Sequence, residues 1–172
     1  MTQQTSKKDA TFISEAAAIA QESPVLMRHG AVATANGKII AKGYNHYRSS
    51  AYTGTMGGCT CHAECSVLHK LQKMRNSLHS NNSNKMKRIT MYITRIGQDG
   101  ELRESAPCHD CYEKMLFFGI KTIVFTNEPN FNLNHDHGHN HNHDIIIVKY
   151  NIEDFNPNVI TAGQRWISKL KS

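Results

Sequence analysis

Apolar positions along the chain change period several times, and each change marks an element. Phe12, Ala16, Ile19 and Ala20 recur at helical spacing, which predicts a first helix over Thr11 to Ser23 behind a polar, frayed start over residues 1–10. Beyond Pro24, His29 to Ala35 and Lys38 to Tyr44 are apolar and partly β-branched on either side of Asn36-Gly37, a dipeptide suited to a two-residue turn, so the pair reads as a hairpin. Asn45 to Thr60 is rich in Gly, Ser, Thr and Tyr and reads as a loop. From Cys61 the pattern is helical again, with Val67, Leu68, Leu71 and Met74 on one stripe down to about Leu78, and it ends in the polar run SNNSN.

The second half alternates strand and helix. Arg88 to Ile96 reads as a strand, GQDGE as a turn, Cys108 to Phe118 as a helix entered through Pro107 and closed by Gly119, and Lys121 to Thr126 as a short buried strand. Asn130 to Asp144, NFNLNHDHGHNHNHD, is a low-complexity insertion between elements. Ile145 to Tyr150 resumes as strand, and Val159 to Leu170 forms a closing amphipathic helix with Trp166 on its core side. This order argues for an α/β fold, a mixed sheet covered by helices, in one domain spanning residues 1–172.

Size agrees, since 172 residues supply one ordinary core and not two. The longest apolar runs, such as Leu116 to Ile120 and Ile145 to Val148, fall far short of the ~20 residues a membrane helix needs. The start MTQQTSKKDA lacks the apolar core of a secretory signal, so the expected location is intracellular. A net charge of +6 favours an anionic partner such as a nucleotide or phosphate group. The densest basic stretch, Lys70 to Arg88, has no interleaved aromatics of the kind that stack bases and reads as a solvated helix end and loop.

Cysteines 59, 61, 65, 108 and 111 form two clusters, which in an intracellular chain suggest thiolate ligands before disulfides. The informative residues are His62, Ala63 and Glu64, then Pro107, Cys108, His109, Asp110 and Cys111. One imidazole and two thiolates make a three-ligand zinc site with a fourth position open to water, the arrangement of catalytic zinc. Cys108 and Cys111, three apart at a helix start, project from one face, and the N-terminal charge of two converging helices favours thiolate. Glu64, two residues past the histidine, stands beside the ligand without being one and is placed to carry a proton from activated water to a substrate nitrogen. The competing reading is a structural site in which Cys61 or Cys65 is the fourth ligand.

These motifs resemble a known family. HGAV from His29, GKIIAKGYN ending at Asn45, CHAE, PCHDC and GIKTIVF are together similar to the cytidine and deoxycytidylate deaminase superfamily, particularly its CMP/dCMP-type domain, over roughly Val25 to Thr126. The resemblance implies a three-layer cytidine-deaminase-like fold with a five-stranded mixed sheet flanked by helices, and a zinc cofactor held by His62, Cys108 and Cys111 with Glu64 as catalytic acid and base. It further implies that Asn45 bonds a sugar hydroxyl, that backbone groups of Ala63 and of Ser105 or Ala106 meet the pyrimidine, and that the domain associates into a homo-oligomer through its two zinc-bearing helices. The implied reaction is hydrolytic deamination of a cytosine nucleotide, with dCMP to dUMP leading. The alternatives are a deaminase of a base in nucleic acid, whether adenosine in tRNA or a single-stranded cytosine, and a non-catalytic zinc protein that binds nucleotides.

The loop NHYRSSAYTGTMGGC departs from the Gly- and Pro-containing loop common in family members acting on dCMP. Arg48 could supply the phosphate contact there, or could face solvent. An allosteric nucleotide loop is not recognisable. His29 precedes the first strand near the expected entry of the base, and it reads equally as a substrate contact or a core histidine. Tyr44, Tyr47, Tyr52 and Phe131 are stacking candidates. The histidines from 135 to 143 could bind metal ions adventitiously, and Cys59 and Cys61 could build a second metal site with His109 or His46.

Overall fold

The computed structural model of the chain describes residues 2–47, 60–77, 88–128 and 145–157. In chain order the elements are β1 (Thr2–Gln3), α1 (Lys7–Ala20), β2 (Arg28–Ala35), β3 (Lys38–Tyr44), β4 (His46–Tyr47), β5 (Thr60–Cys61), α2 (Ala63–Ser77), β6 (Thr90–Ile96), β7 (Leu102–Arg103), α3 (His109–Phe118), β8 (Thr122–Asn127) and β9 (Ile146–Asn151), then a short 3-10 turn over Ile152–Asp154. The helix expected over 159–170, the histidine run and Arg48 lie outside the described residues.

The main sheet runs β1-β9-β8-β6-β2-β3, with β7 added beside β6. Its five long strands are the expected ones. The sheet is mixed because β6 and β8 run parallel, joined through α3, whereas β2–β3, β2–β6 and β8–β9 are antiparallel. The turn between β2 and β3 places Asn36 at φ 50° and Gly37 at φ 70°, left-handed positions that this dipeptide occupies at little cost.

Strand alternation sends successive side chains to two helical layers. Val32, Tyr92 and Val124 face α1 and bury Phe12, Ile13 and Ala16. Ala31, Ala33, Met91, Ile93 and Ile123 face the other way and pack on Val67, Leu68 and Leu71 of α2 and Met115 of α3. At Gly30, α1 comes so close that a Cβ would stand 2.0 Å from the carbonyl oxygen of Ala16 and 2.7 Å from the nitrogen of Ala20. Only glycine admits that approach.

The N-terminus differs from expectation. The first helix begins at Lys7, not Thr11, because Ser6 and Asp9 form a reciprocal capping box. Asp9 is buried and accepts from the Tyr92 hydroxyl (2.8 Å) and from Lys149 Nζ (3.3 Å), which fixes the start of α1 to β6 and β9. Thr2 and Gln3, expected to be frayed, pair with Tyr150 and Lys149 at the sheet edge.

Candidate active site

Two helix starts meet on the α2–α3 side of the sheet. His62 stands immediately before α2, its carbonyl accepting from the Ser66 N–H (3.0 Å), and Cys108 is the N-cap of α3, its carbonyl accepting from the Tyr112 N–H (2.9 Å). Cys108 has the extended conformation usual for an N-cap (φ −71°, ψ 162°), and its sulfur makes no side-chain capping bond. One helical turn on, Cys111 is fully buried.

His62 Nδ1 lies 3.2 Å from Cys111 Sγ and 3.5 Å from Cys108 Sγ, and the three ligand atoms are all within 4.8 Å of one another. Tetrahedral zinc with ordinary Zn–N and Zn–S bonds separates nitrogen from sulfur by ~3.6 Å, so both the spacing and the soft donor set fit that ion. Cys65 is the neighbouring thiol, its Sγ 4.0 Å from that of Cys111, but it falls outside the three-atom group. Among the described residues no other trio of ligands comes together, so Cys61, His46 and His109 build no second centre there, and Cys59 lies outside those residues. His109 instead faces Glu113 at 3.7 Å.

The charges of the donors are interlocked. Hydrogen bonding from Cys111 and His62 pulls the Cys108 thiol down to about 4 against the opposing effect of burial, and the bond with Cys108 lifts His62 to about 9. Cys111 is held well above the ordinary thiol range by its bonds with Cys108 and Cys65 and by burial. A protein-bound proton therefore competes with a metal ion for these donors.

Glu64 occupies the first turn of α2, 5% exposed. Burial pushes its carboxyl above the usual range, opposed by His62. A buried carboxyl beside the ligands, held above its ordinary range, can both hold and release a proton.

Of the residues assigned to substrate, Ala63 is fully buried at the first position of α2. Asn45 is buried, and most of its amide is already used: Oδ1 accepts from Ser23 Oγ (2.7 Å) and the His29 N–H (2.8 Å), while Nδ2 donates to the Met27 carbonyl (2.7 Å). One amide hydrogen remains for a ligand. The Ser105 N–H is given to Thr126 O (2.9 Å), and its hydroxyl to Ile93 O (2.9 Å) with Thr126 Oγ1 at 2.7 Å, so of its backbone only the carbonyl is left to meet a base. His29 is held through Nδ1 by Met27 O (3.1 Å), and burial lowers its pKa to about 4, so the ring is neutral. Tyr47 is 58% exposed and Tyr44 packs edge-on to His46, while Tyr52 and Phe131 lie outside the described residues. Sequence reasoning missed Ser23, which braces Asn45, and Arg95, which stands beside His29; nothing in their spacing announces either role.

A family model described as the cytidine and deoxycytidylate deaminase zinc-binding region matches residues 6–127. Solved structures with a similar fold include a dCMP deaminase from cyanophage S-TIM5 in apo form, 23% identical, covering 74% of this chain and 88% of that one at a TM-score of 0.51. The S-TIM5 dCMP deaminase in complex with dCMP and dUMP is 22% identical over 72% and 83%, at 0.50. A cytidine deaminase from Burkholderia pseudomallei is 16% identical over 88% and 98%, at 0.49. No curated protein sequence matches the chain.

Proposed function

This chain belongs to the cytidine and deoxycytidylate deaminase zinc-binding family, and from that membership we propose that it deaminates a free cytosine nucleotide, dCMP to dUMP foremost. The observation that carries the reading is the buried Glu64 beside the His62, Cys108 and Cys111 trio assembled from two helix starts. A structural zinc site has no use for that carboxyl.

His62, Cys108 and Cys111 would hold the zinc. When bound, zinc supplies the Lewis acidity that makes water nucleophilic near neutral pH. Glu64 takes the proton from the water that adds to C4 of the ring, delivers it to N3, and then passes a proton to the departing amine, so that water and the cytosine amino compound become the uracil compound and ammonia. On this reading backbone groups of Ala63 and of Ser105 or Ala106 meet the base, and the remaining amide hydrogen of Asn45 meets the sugar. Arg48, a candidate for the phosphate, lies outside the described residues.

A net charge of +6 suits a mononucleotide. Mass-spectrometric reading of an equimolar mixture of cytidine, deoxycytidine, CMP, dCMP, dCTP and the adenine counterparts tests the reading. Selective loss of dCMP supports it, and a zinc-loaded protein that converts none of the mixture overturns it in favour of a nucleic-acid substrate or a binding-only role.

A further inference from the structure

We infer that Arg95 is the phosphate anchor of this site, the residue that makes the substrate a nucleotide and not a nucleoside; the inference rests on the cytosine-nucleotide reading above. Arg95 follows Ile93 on β6 with the same alternation, and Ile93 packs in the cluster with Ala63 and Val67, so Arg95 projects to the face that carries the metal ligands. In the ladder it stands directly opposite His29 of β2 and directly opposite Arg103 of β7. His29 feels the charges of Arg95, His62 and Cys108, so this one side chain lies within electrostatic reach of both the guanidinium and the metal ligands.

Two arginines facing each other across a strand pair repel unless each has a counter-charge. Arg103 has one, its Nη2 bonded to the Asp99 carboxylate and its Nη1 to the Leu102 carbonyl (3.2 Å). Arg95 does not. Half-buried, with five N–H donors, it makes neither a hydrogen bond nor an ion pair among the described residues. Glu104 senses the Arg95 charge, yet it forms no ion pair with it and burial lifts its own carboxyl, opposing a role as permanent partner. A forked cation with spare donors, placed on the ligand face beside a neutral histidine, fits the oxygens of a phosphate monoester in bidentate fashion.

The test compares kcat/KM for dCMP and deoxycytidine in zinc-loaded native protein, R95Q, R95K and R48Q, with inorganic phosphate as a competing anion. The expected result is a fall of about tenfold to a hundredfold in the dCMP to deoxycytidine ratio for R95Q, carried by KM, with a smaller fall for R95K. Inorganic phosphate should compete with dCMP in the native protein and lose potency in R95K. An unchanged ratio in R95Q, an equal loss on both substrates, or the ratio collapsing in R48Q alone overturns the assignment. If R95Q does not fold, R95K and phosphate competition decide, and absence of phosphate competition is again fatal. Native protein that turns over neither compound refutes the nucleotide reading itself, an outcome distinct from active native protein indifferent to Arg95.

Discussion

Replacing Gly30 with alanine should separate the first helix from the sheet and loosen the site through it. The added Cβ would lie 2.0 Å from Ala16 O and 2.7 Å from Ala20 N, and since real Cβ contacts essentially never fall under 3.0 Å, α1 must retreat by at least about 1 Å. Both obstacles are backbone, so no side-chain rotation relieves them. Overpacking costs about 1–3 kcal/mol where side chains can adjust, and the upper end applies to a rigid helix. At about 2–4 °C per kcal/mol for a chain of this size, Tm should drop by roughly 6–12 °C. The displacement also reaches the site. Ser23, just beyond the end of α1, bonds the side chain and carbonyl of Asn45, which in turn braces His29. Thermal unfolding by circular dichroism, with KM for dCMP on the same preparations, reads both effects. A Gly30→Ala protein within about 2 °C of the native Tm, with KM unchanged, would refute the close-approach reasoning.

Asp9→Ala removes a cap and strands the Tyr92 hydroxyl, a loss of about 2–4 kcal/mol readable by urea unfolding. Burial alone would raise the Asp9 carboxyl, but bonds from Ser6 and Tyr92 and the charge of Lys149 hold it below the ordinary 3.8. Its contribution is therefore present above pH 3.8 and fades as pH falls through the lower folded value, so the native and Asp9→Ala stabilities should converge in strong acid. His29, half-buried and neutral with a folded pKa of about 4 against 6.5, lets the unfolded chain bind a proton first, and native stability should decline as pH falls from 6.5 to 4. His29→Gln should flatten that decline in pH-dependent unfolding. Cys111→Ser or Cys108→Ser should lose zinc by elemental analysis, and a chelator should lower the Tm of the native chain but not of the variants.

Local signals were legible where one short stretch decides the outcome. Asn36-Gly37 dictates its turn by backbone freedom, the Val67, Leu68, Leu71 stripe dictates which face of α2 is buried, and HAE with PCHDC carries the metal chemistry at fixed spacing. The start of α1 was also written locally, in Ser6 and Asp9, but the polar composition around them masked it. What could not be read depends on partners far apart in the chain. Asp9 meets Tyr92 and Lys149 only once three elements are packed, Gly30 is required by the backbone of Ala16 and Ala20, fourteen and ten residues upstream, and the facing of Arg95 by His29 and Arg103 is a matter of register. Asn45 shows the limit from the other side: the motif named the residue, while the structure shows three of its hydrogen bonds spent on Ser23, His29 and Met27.

Glu64 is proposed to move protons and not to hold the metal. The direct measurement is zinc stoichiometry and dCMP turnover on native protein and Glu64→Ala side by side. The same zinc content is expected in both, with a loss of turnover of at least about 10²- to 10⁴-fold in the variant. Full turnover without the carboxyl, or loss of zinc along with activity, would contradict it.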